Sequence, residues 1–262
     1  MKIGFIGFGE ASSNIADGLL SENENINISA FDIDTEKVKK TIMAFPSFNR
    51  ITVLSSLKQI IDYNEVLLCA IPGDMDYSLF VEVASYQIRG KLFIDLCTAK
   101  PTIKKTISGI LSAKGADYVD VAVAGSVPAN KHKVPMLISG SGSSKMLDLF
   151  QPYKMDITFA GEEAGNASII KLCRSIYMKG LAALSLEMSN VAEYFGIKDF
   201  VYDSLAKSFD CDHFTSYTPR LINGTKKHIL RRTKEVEDWL ELIKGTGCSN
   251  YITLATLKTY ET

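Results

Sequence analysis

The N-terminal stretch constrains the fold more than any other part of the chain. Lys2-Ile3-Gly4-Phe5-Ile6 has the composition of a buried strand, and it runs through Gly7-Phe8-Gly9 straight into Glu10-Ala11-Ser12, where a helical pattern begins. A strand, a glycine turn and a helix in direct succession open a βαβ unit, in which Gly7 permits the tight turn and Gly9 lets backbone approach a ligand. The helix start offers unpaired N–H groups and the positive end of its dipole, which suits a pyrophosphate. The third glycine of such turns is replaced by Ser12, which is expected to widen helix-strand packing slightly.

Asp32 ends the second predicted strand, roughly 20 residues past the turn, where a carboxylate can take the hydroxyls of an adenosine ribose. The turn residues Gly7, Phe8 and Gly9, the helix-opening Glu10 and Ala11, and Asp32 therefore predict a Rossmann-type site for a nicotinamide dinucleotide. A carboxylate at this place repels a 2'-phosphate, and Ile33 and Asp34 offer no arginine to hold one, so NAD is favoured over NADP. The competing reading is an ordinary strand, turn and helix with a solvated aspartate.

Short β-rich runs at 2–7, 27–31, 65–71, 91–96, 118–122 and 136–140 alternate with amphipathic runs at 12–20, 35–44, 56–61, 75–85, 101–114 and 143–151. That alternation predicts an α/β fold, a doubly wound and mostly parallel sheet covered by helices. From Gly165 to about Phe195 the chain reads as one long interdomain helix, apolar on nearly every side, which is expected to be buried. Further helices are expected at 199–208, 226–243 and 252–259. The predicted organisation is a Rossmann domain over 1–161 and an all-α domain over 162–262.

The 262 residues, 46% of them hydrophobic, suffice for one large domain or two ordinary ones, each with a proper core. Because 29 basic and 30 acidic residues nearly cancel, no global field draws the chain to nucleic acid or an anionic membrane. Five cysteines, an odd number with no C-x-x-C pair, argue against a disulfide framework or a thiolate zinc site and fit a reducing cytoplasm. Gly7, Gly9 and Glu10 break the opening apolar run before signal-peptide length, and no stretch approaches a membrane span.

Four segments carry a family likeness: the turn Ile6-Gly7-Phe8-Gly9-Glu10-Ala11; Ile94-Asp95-Leu96-Cys97-Thr98-Ala99-Lys100-Pro101; Asp120-Val121-Ala122-Val123-Ala124-Gly125-Ser126; and Gly165-Asn166-Ala167-Ser168-Ile169-Ile170-Lys171-Leu172-Cys173-Arg174-Ser175. Together they resemble the β-hydroxyacid dehydrogenase superfamily, which includes 3-hydroxyisobutyrate and 6-phosphogluconate dehydrogenases. The turn is especially similar to a less characterised phosphogluconate dehydrogenase-like subgroup. The resemblance implies a helical C-terminal domain that dimerises, and it places Thr98 near the nicotinamide ribose. It puts Ile71 and Pro72 in the cofactor set, Ala124, Gly125 and Ser126 on the substrate loop, and Lys171 at the catalytic lysine. Ala122 and Ala124 stand where the family has Pro and Ser, Ser126 replaces a glycine, and Arg174 and Ser175 replace two asparagines.

Helical spacing gathers Ser168, Lys171, Arg174 and Ser175 into one polar stripe on an otherwise apolar helix. A desolvated lysine beside Arg174 and an oxidised nicotinamide should lose proton affinity and serve as an acid or base. By its residues alone, Lys171 reads more simply as an ammonium that snorkels to solvent or caps a salt bridge, and Gly125-Ser126 fits a plain loop after a strand equally well. The combined expectation is an NAD(P)-dependent oxidoreductase acting on CH–OH of a small, anionic hydroxyl compound, a cytoplasmic homodimer without metal. Two alternatives are an imine reductase on the same architecture, against which Lys171 speaks, and a dinucleotide-binding regulator without turnover. Cys211-Asp212-His213 reads as a plain loop, His132 and His228 as surface residues, and Lys226, Lys227, Arg231, Arg232 and Lys234 as a solvated helix face. Trp239 reads as core or interface.

Overall fold

Period-two alternation decides how the strands are buried. In a computed structural model, which describes residues 2–23, 25–44, 49–209 and 213–261, eight strands form one sheet: β1 (Lys2–Ile6), β2 (Asn27–Phe31), β3 (Ile51–Val53), β4 (Val66–Cys69), β5 (Leu92–Asp95), β6 (Asp117–Val123), β7 (Met136–Ser139) and β8 (Ile157–Phe159). Their order is β3-β2-β1-β4-β5-β6-β7-β8. All neighbouring pairs are parallel except β6 and β7. Ile3 and Phe5 join Val66 and Leu68 in the apolar layer on one face, while Ile6 joins Leu67, Cys69 and Phe93 on the other.

Helices α1 (Glu10–Glu22), α2 (Thr35–Ala44), α3 (Leu57–Tyr63), α4 (Asp76–Val83), α5 (Pro101–Ser112), α6 (Val127–Asn130) and α7 (Ser143–Phe150) connect these strands. Then come α8 (Asn166–Tyr194), α9 (Lys198–Phe209), α10 (Phe214–Lys227), α11 (Ile229–Ile243) and α12 (Tyr251–Tyr260). The architecture is that read from the sequence, a doubly wound, mostly parallel sheet followed by helices. Two compact units divide within α8, Met1–Arg174 and Ser175–Thr262, whereas Gly161 lies in the loop that leads to α8.

Several local expectations are corrected. The three-residue strands β3 and β8 were not anticipated, because so short a run shows no periodicity. The helix expected over 226–243 is two helices that break at His228, and α10 was missed because Pro219 and Gly224 inside it depress the helical pattern. His132 is not a surface residue: it is 4% exposed and bonds the Tyr153 carbonyl through Nε2 at 3.1 Å. Burial lowers its pKa below the ordinary histidine value. Cys211 and Asp212 lie outside the described residues; His213 precedes α10 as its N-cap.

The long helix α8 also departs from expectation. Within one chain it is not buried all round: Ile176 is 75% exposed, Leu186 66% and Leu172 51%. In the second unit Glu187 is the polar anchor, accepting the N–H groups of Ile252 and Thr253 at 2.8 Å and so capping α12. Leu184, Met188 and Val191 of α8 face Trp239 and Leu242 of α11 across an apolar cavity of about 480 Å³.

Candidate active site

Gly7 follows β1 with φ +81°, a conformation that other residues adopt only under strain, and a Cβ there would lie 2.4 Å from the Ala70 carbonyl oxygen. Its N–H donates to the Phe31 carbonyl at 2.8 Å, and Ala70 N–H donates to Ile6, so the turn is held by β2 and by the end of β4. Ser12 compensates for the missing third glycine: its buried hydroxyl donates to the Gly7 carbonyl at 2.6 Å. The N-cap of α1 is Gly9, which leaves the helix start without a side-chain cap and therefore open to an anion.

Beside this turn lies a cavity of about 810 Å³ whose walls include Gly7, Gly9, Asp32, Ile71 and Pro72. Of the remaining cofactor candidates, Glu10 and Ala11 open α1 outside that lining. Phe8 turns inward, fully buried with its ring against Phe5 at 6.0 Å. The Phe8 N–H donates to Asp32 Oδ2 at 2.8 Å, while Oδ1 accepts the Asp34 N–H at 3.0 Å. Asp32 thus braces the glycine turn from the end of β2 and borders the cavity. The cradle that a Cβ would fill, the uncapped helix and this carboxylate suit a dinucleotide.

Thr98 follows β5 and sits against the β4–α4 loop. Gly73 makes this possible, since a Cβ at that position would fall 1.9 Å from the Thr98 carbonyl oxygen. The Thr98 hydroxyl accepts a hydrogen bond from Lys171 Nζ at 3.5 Å. Burial lowers the Lys171 pKa below the ordinary lysine value, the charge of Lys104 lowers it further, and Asp120 opposes both. The depressing cation is therefore Lys104 and not the expected Arg174. Arg174 donates to the Ala124 carbonyl at 3.4 Å across to the loop after β6. Gly125 and Ser126 are exposed on that loop, and Ser126 is the N-cap of α6.

The start of α8 is fixed from the sheet by a residue whose role no local sequence pattern signals. Asp120, buried on β6, accepts the N–H groups of Gly165 and Ser168 at 3.1 Å and the Ser168 hydroxyl at 2.8 Å. Ser168 is 8% exposed, so its hydroxyl serves the attachment of the helix. Lys171 follows one turn later on the same side. Ser175 opens the second unit, half-buried.

A second buried set was also missed. Lys104 of α5 is fully buried, with Nζ 2.6 Å from Asp95 and 3.1 Å from Asp76. Tyr118 donates its hydroxyl to Asp95 at 2.5 Å, and the Cys97 N–H donates to the other Asp95 oxygen at 2.9 Å. Asp76, Asp95 and Cys97 lie close enough to share a cation, their ligand atoms within 4.8 Å of one another; the Lys104 ammonium supplies positive charge to both carboxylates. Lys104 carries no sequence signal, because a lysine on an amphipathic helix ordinarily faces water.

Residues 2–157 match the family described as the NAD binding domain of 6-phosphogluconate dehydrogenase. An NADH-dependent oxidoreductase of Aspergillus ustus is 27% identical over 174 residues, 66% of this chain and 60% of the relative. The mitochondrial 3-hydroxyisobutyrate dehydrogenase of Drosophila melanogaster is 22% identical over 195 residues, 73% of this chain and 56% of the relative. The chain thus spans less than two thirds of the length of these two relatives. A conserved protein of unknown function with structural similarity to 3-hydroxyacid dehydrogenases superposes with a TM-score of 0.68 at 23% identity, covering 100% of this chain and 98% of that one. An imine reductase of Bacillus cereus superposes with a TM-score of 0.82 at 15% identity, covering 99% and 92%.

Proposed function

This chain belongs to the family of the NAD binding domain of 6-phosphogluconate dehydrogenase, and from that premise we propose an oxidoreductase that moves hydride between NAD and a small, anionic, hydroxyl-bearing substrate, with Lys171 as general acid/base. The observation that carries this reading is the reach of Lys171 Nζ to Thr98 Oγ1, 3.5 Å. Thr98 packs on Gly73, the neighbour of the cavity residue Pro72, so the lysine stands beside a pocket suited to a dinucleotide.

A bound nicotinamide supplies the hydride donor or acceptor. In the oxidative direction, neutral Lys171 takes the substrate hydroxyl proton on Nζ; in the reductive direction, the ammonium returns it. The lowered proton affinity of Lys171 suits both roles. The exposed Arg174 keeps donors beyond the one it gives Ala124, enough for a carboxylate or phosphate. Asp32 and Asp34 border the pocket, where their charge would oppose a 2'-phosphate, and Lys58 of the lining is paired with Asp62, which together support NAD as the cofactor. The exposed apolar residues of α8 support a homodimer, and the free thiols Cys69, Cys97, Cys173 and Cys248 support a reducing, cytoplasmic setting.

Imine reduction is the second reading, favoured by the TM-score of 0.82 to an imine reductase and by the absence of a side-chain hydroxyl at Ala122, on β6, and at Ala124, just after it. A panel of hydroxy acids, sugar acids and cyclic imines, screened with NAD(H) and NADP(H) by nicotinamide absorbance, separates the two. Turnover of a hydroxy acid that is lost in Lys171→Met supports the first; turnover of imines alone overturns it. Tight dinucleotide binding with a wholly inert panel leaves a regulator without turnover.

A further inference from the structure

We propose that the buried triad of Asp76, Lys104 and Asp95 is a positioning device that clamps the α4 wall of the cofactor pocket to the Thr98 loop. The proposal rests on the dinucleotide reading of that pocket. Helix α4 has two working sides. Met75, just before it, and Ser78, Leu79 and Glu82 line the pocket. Asp76 and Phe80 are buried on the other side. Phe80 packs edge-on against Phe93 and Tyr118 at 6.0 and 5.7 Å. Asp76 is the polar tie, 3.1 Å from Lys104 Nζ.

Lys104 in turn holds Asp95 at 2.6 Å, and Asp95 fixes the turn into Thr98 by accepting the Cys97 N–H. Cys97 closes the circuit: its sulfur accepts the Ile71 N–H at 3.4 Å, and its thiol donates to the Cys69 carbonyl at 3.6 Å. The loops carrying Ile71 and Pro72 on one side and Thr98 on the other are thereby joined beneath the pocket.

The triad is not built for stability. Two buried carboxylates share one ammonium, and neither Asp76 oxygen has a well-aligned hydrogen bond among the described residues. Ion sets of this kind often give up stability relative to neutral replacements of the same shape. A feature that is unfavourable for folding and tied to a pocket wall is expected where geometry is held for function. Stability and binding should therefore separate on mutation, which a purely structural role does not allow.

The test is fluorescence titration of NADH and NADPH, with thermal unfolding, on the intact wild type, Asp76→Asn and Lys104→Met at pH 7.5. Asp76→Asn keeps the shape and removes one charge. It should bind NADH about tenfold more weakly while its melting temperature holds or rises. Lys104→Met should also weaken binding, and it leaves two facing carboxylates that lower stability. If Asp76→Asn binds NADH like wild type, or loses binding and stability together, the clamp is overturned. If wild type binds neither dinucleotide, the cofactor reading fails first and takes the clamp with it.

Discussion

Asp120 and Ser168 lock α8 to the sheet: both carboxylate oxygens of Asp120 are used, Oδ2 by the Ser168 N–H and Oδ1 by the Ser168 hydroxyl, at 3.1 and 2.8 Å. A carboxylate on a strand thus caps a helix distant in sequence, where its charge also meets the positive end of the helix dipole. Lys171 lies one turn further along the same helix, so this joint helps to set its position. Asp120→Ala leaves buried donors unpaired, and each such loss costs roughly 1–3 kcal/mol. Urea unfolding of Asp120→Ala should show destabilisation of about 3 kcal/mol, with Asp120→Asn between it and wild type. A loss below about 1 kcal/mol contradicts the capping role.

Asp32 should set cofactor choice and also brace the glycine turn through the Phe8 N–H. Asp32→Ala is therefore expected to weaken NADH binding about tenfold or more, since a charged hydrogen bond contributes roughly 1.5–3 kcal/mol. NADPH should lose less, because the repulsion of its phosphate disappears. Wild-type protein that binds NADPH at least as tightly as NADH rules the assignment out.

Lys171→Met keeps the length of the stem and removes the amine. Dinucleotide binding and folding should persist, while turnover falls by about 10²- to 10⁴-fold, the range of general acid-base catalysis. On the proposed mechanism, in which neutral lysine is the base in oxidation, the wild-type oxidative rate should rise with pH and level off at a pKa below the ordinary lysine value, lowered first by burial and then by Lys104. Wild-type turnover in Lys171→Met moves the proton-transfer role elsewhere, with Lys179 on the same helix the next position to test.

Asp76 gives stability a definite pH dependence. Burial first, and then Asp95, push its pKa up from 3.8 to about 6 against the pull of Lys104. A carboxyl raised on folding favours the folded state when protonated, so its contribution is full below about pH 4 and fades as pH rises through about 6. The melting temperature of Asp76→Asn relative to wild type should therefore climb between pH 4 and pH 7, by at least about 2 °C. A difference that is flat across this range contradicts the raised pKa.

The apolar face of α8 predicts association. Sedimentation of wild type at micromolar concentration should give a dimer, and Ile176→Asp combined with Leu186→Asp should give a monomer, because both positions are largely exposed within one chain. A wild type that remains monomeric at high concentration shows that the exposed face serves another purpose.

What the sequence determined by itself is local and periodic. Strand, glycine turn and helix are contiguous between Lys2 and Ser12, and the alternation of apolar runs specifies the doubly wound sheet, because backbone geometry and period-two burial act over a few residues. Lys171 could be named from its place in a motif, and the Gly7 turn from the φ it requires. Tertiary structure alone decided the partners. Asp120 lies 48 positions from Ser168, and Asp95 meets Tyr118 from the adjacent strand β6. The burial of Lys104 depends on α5 being laid against α4. It also decided which side of α8 faces inward, where Ser168 of the polar stripe is buried on Asp120 while Ile169, Ile170 and Leu172 are exposed. Composition and spacing describe what a segment can bury; only packing decides what it is buried against, and the electrostatics of Lys171 and Asp76 follow from that choice.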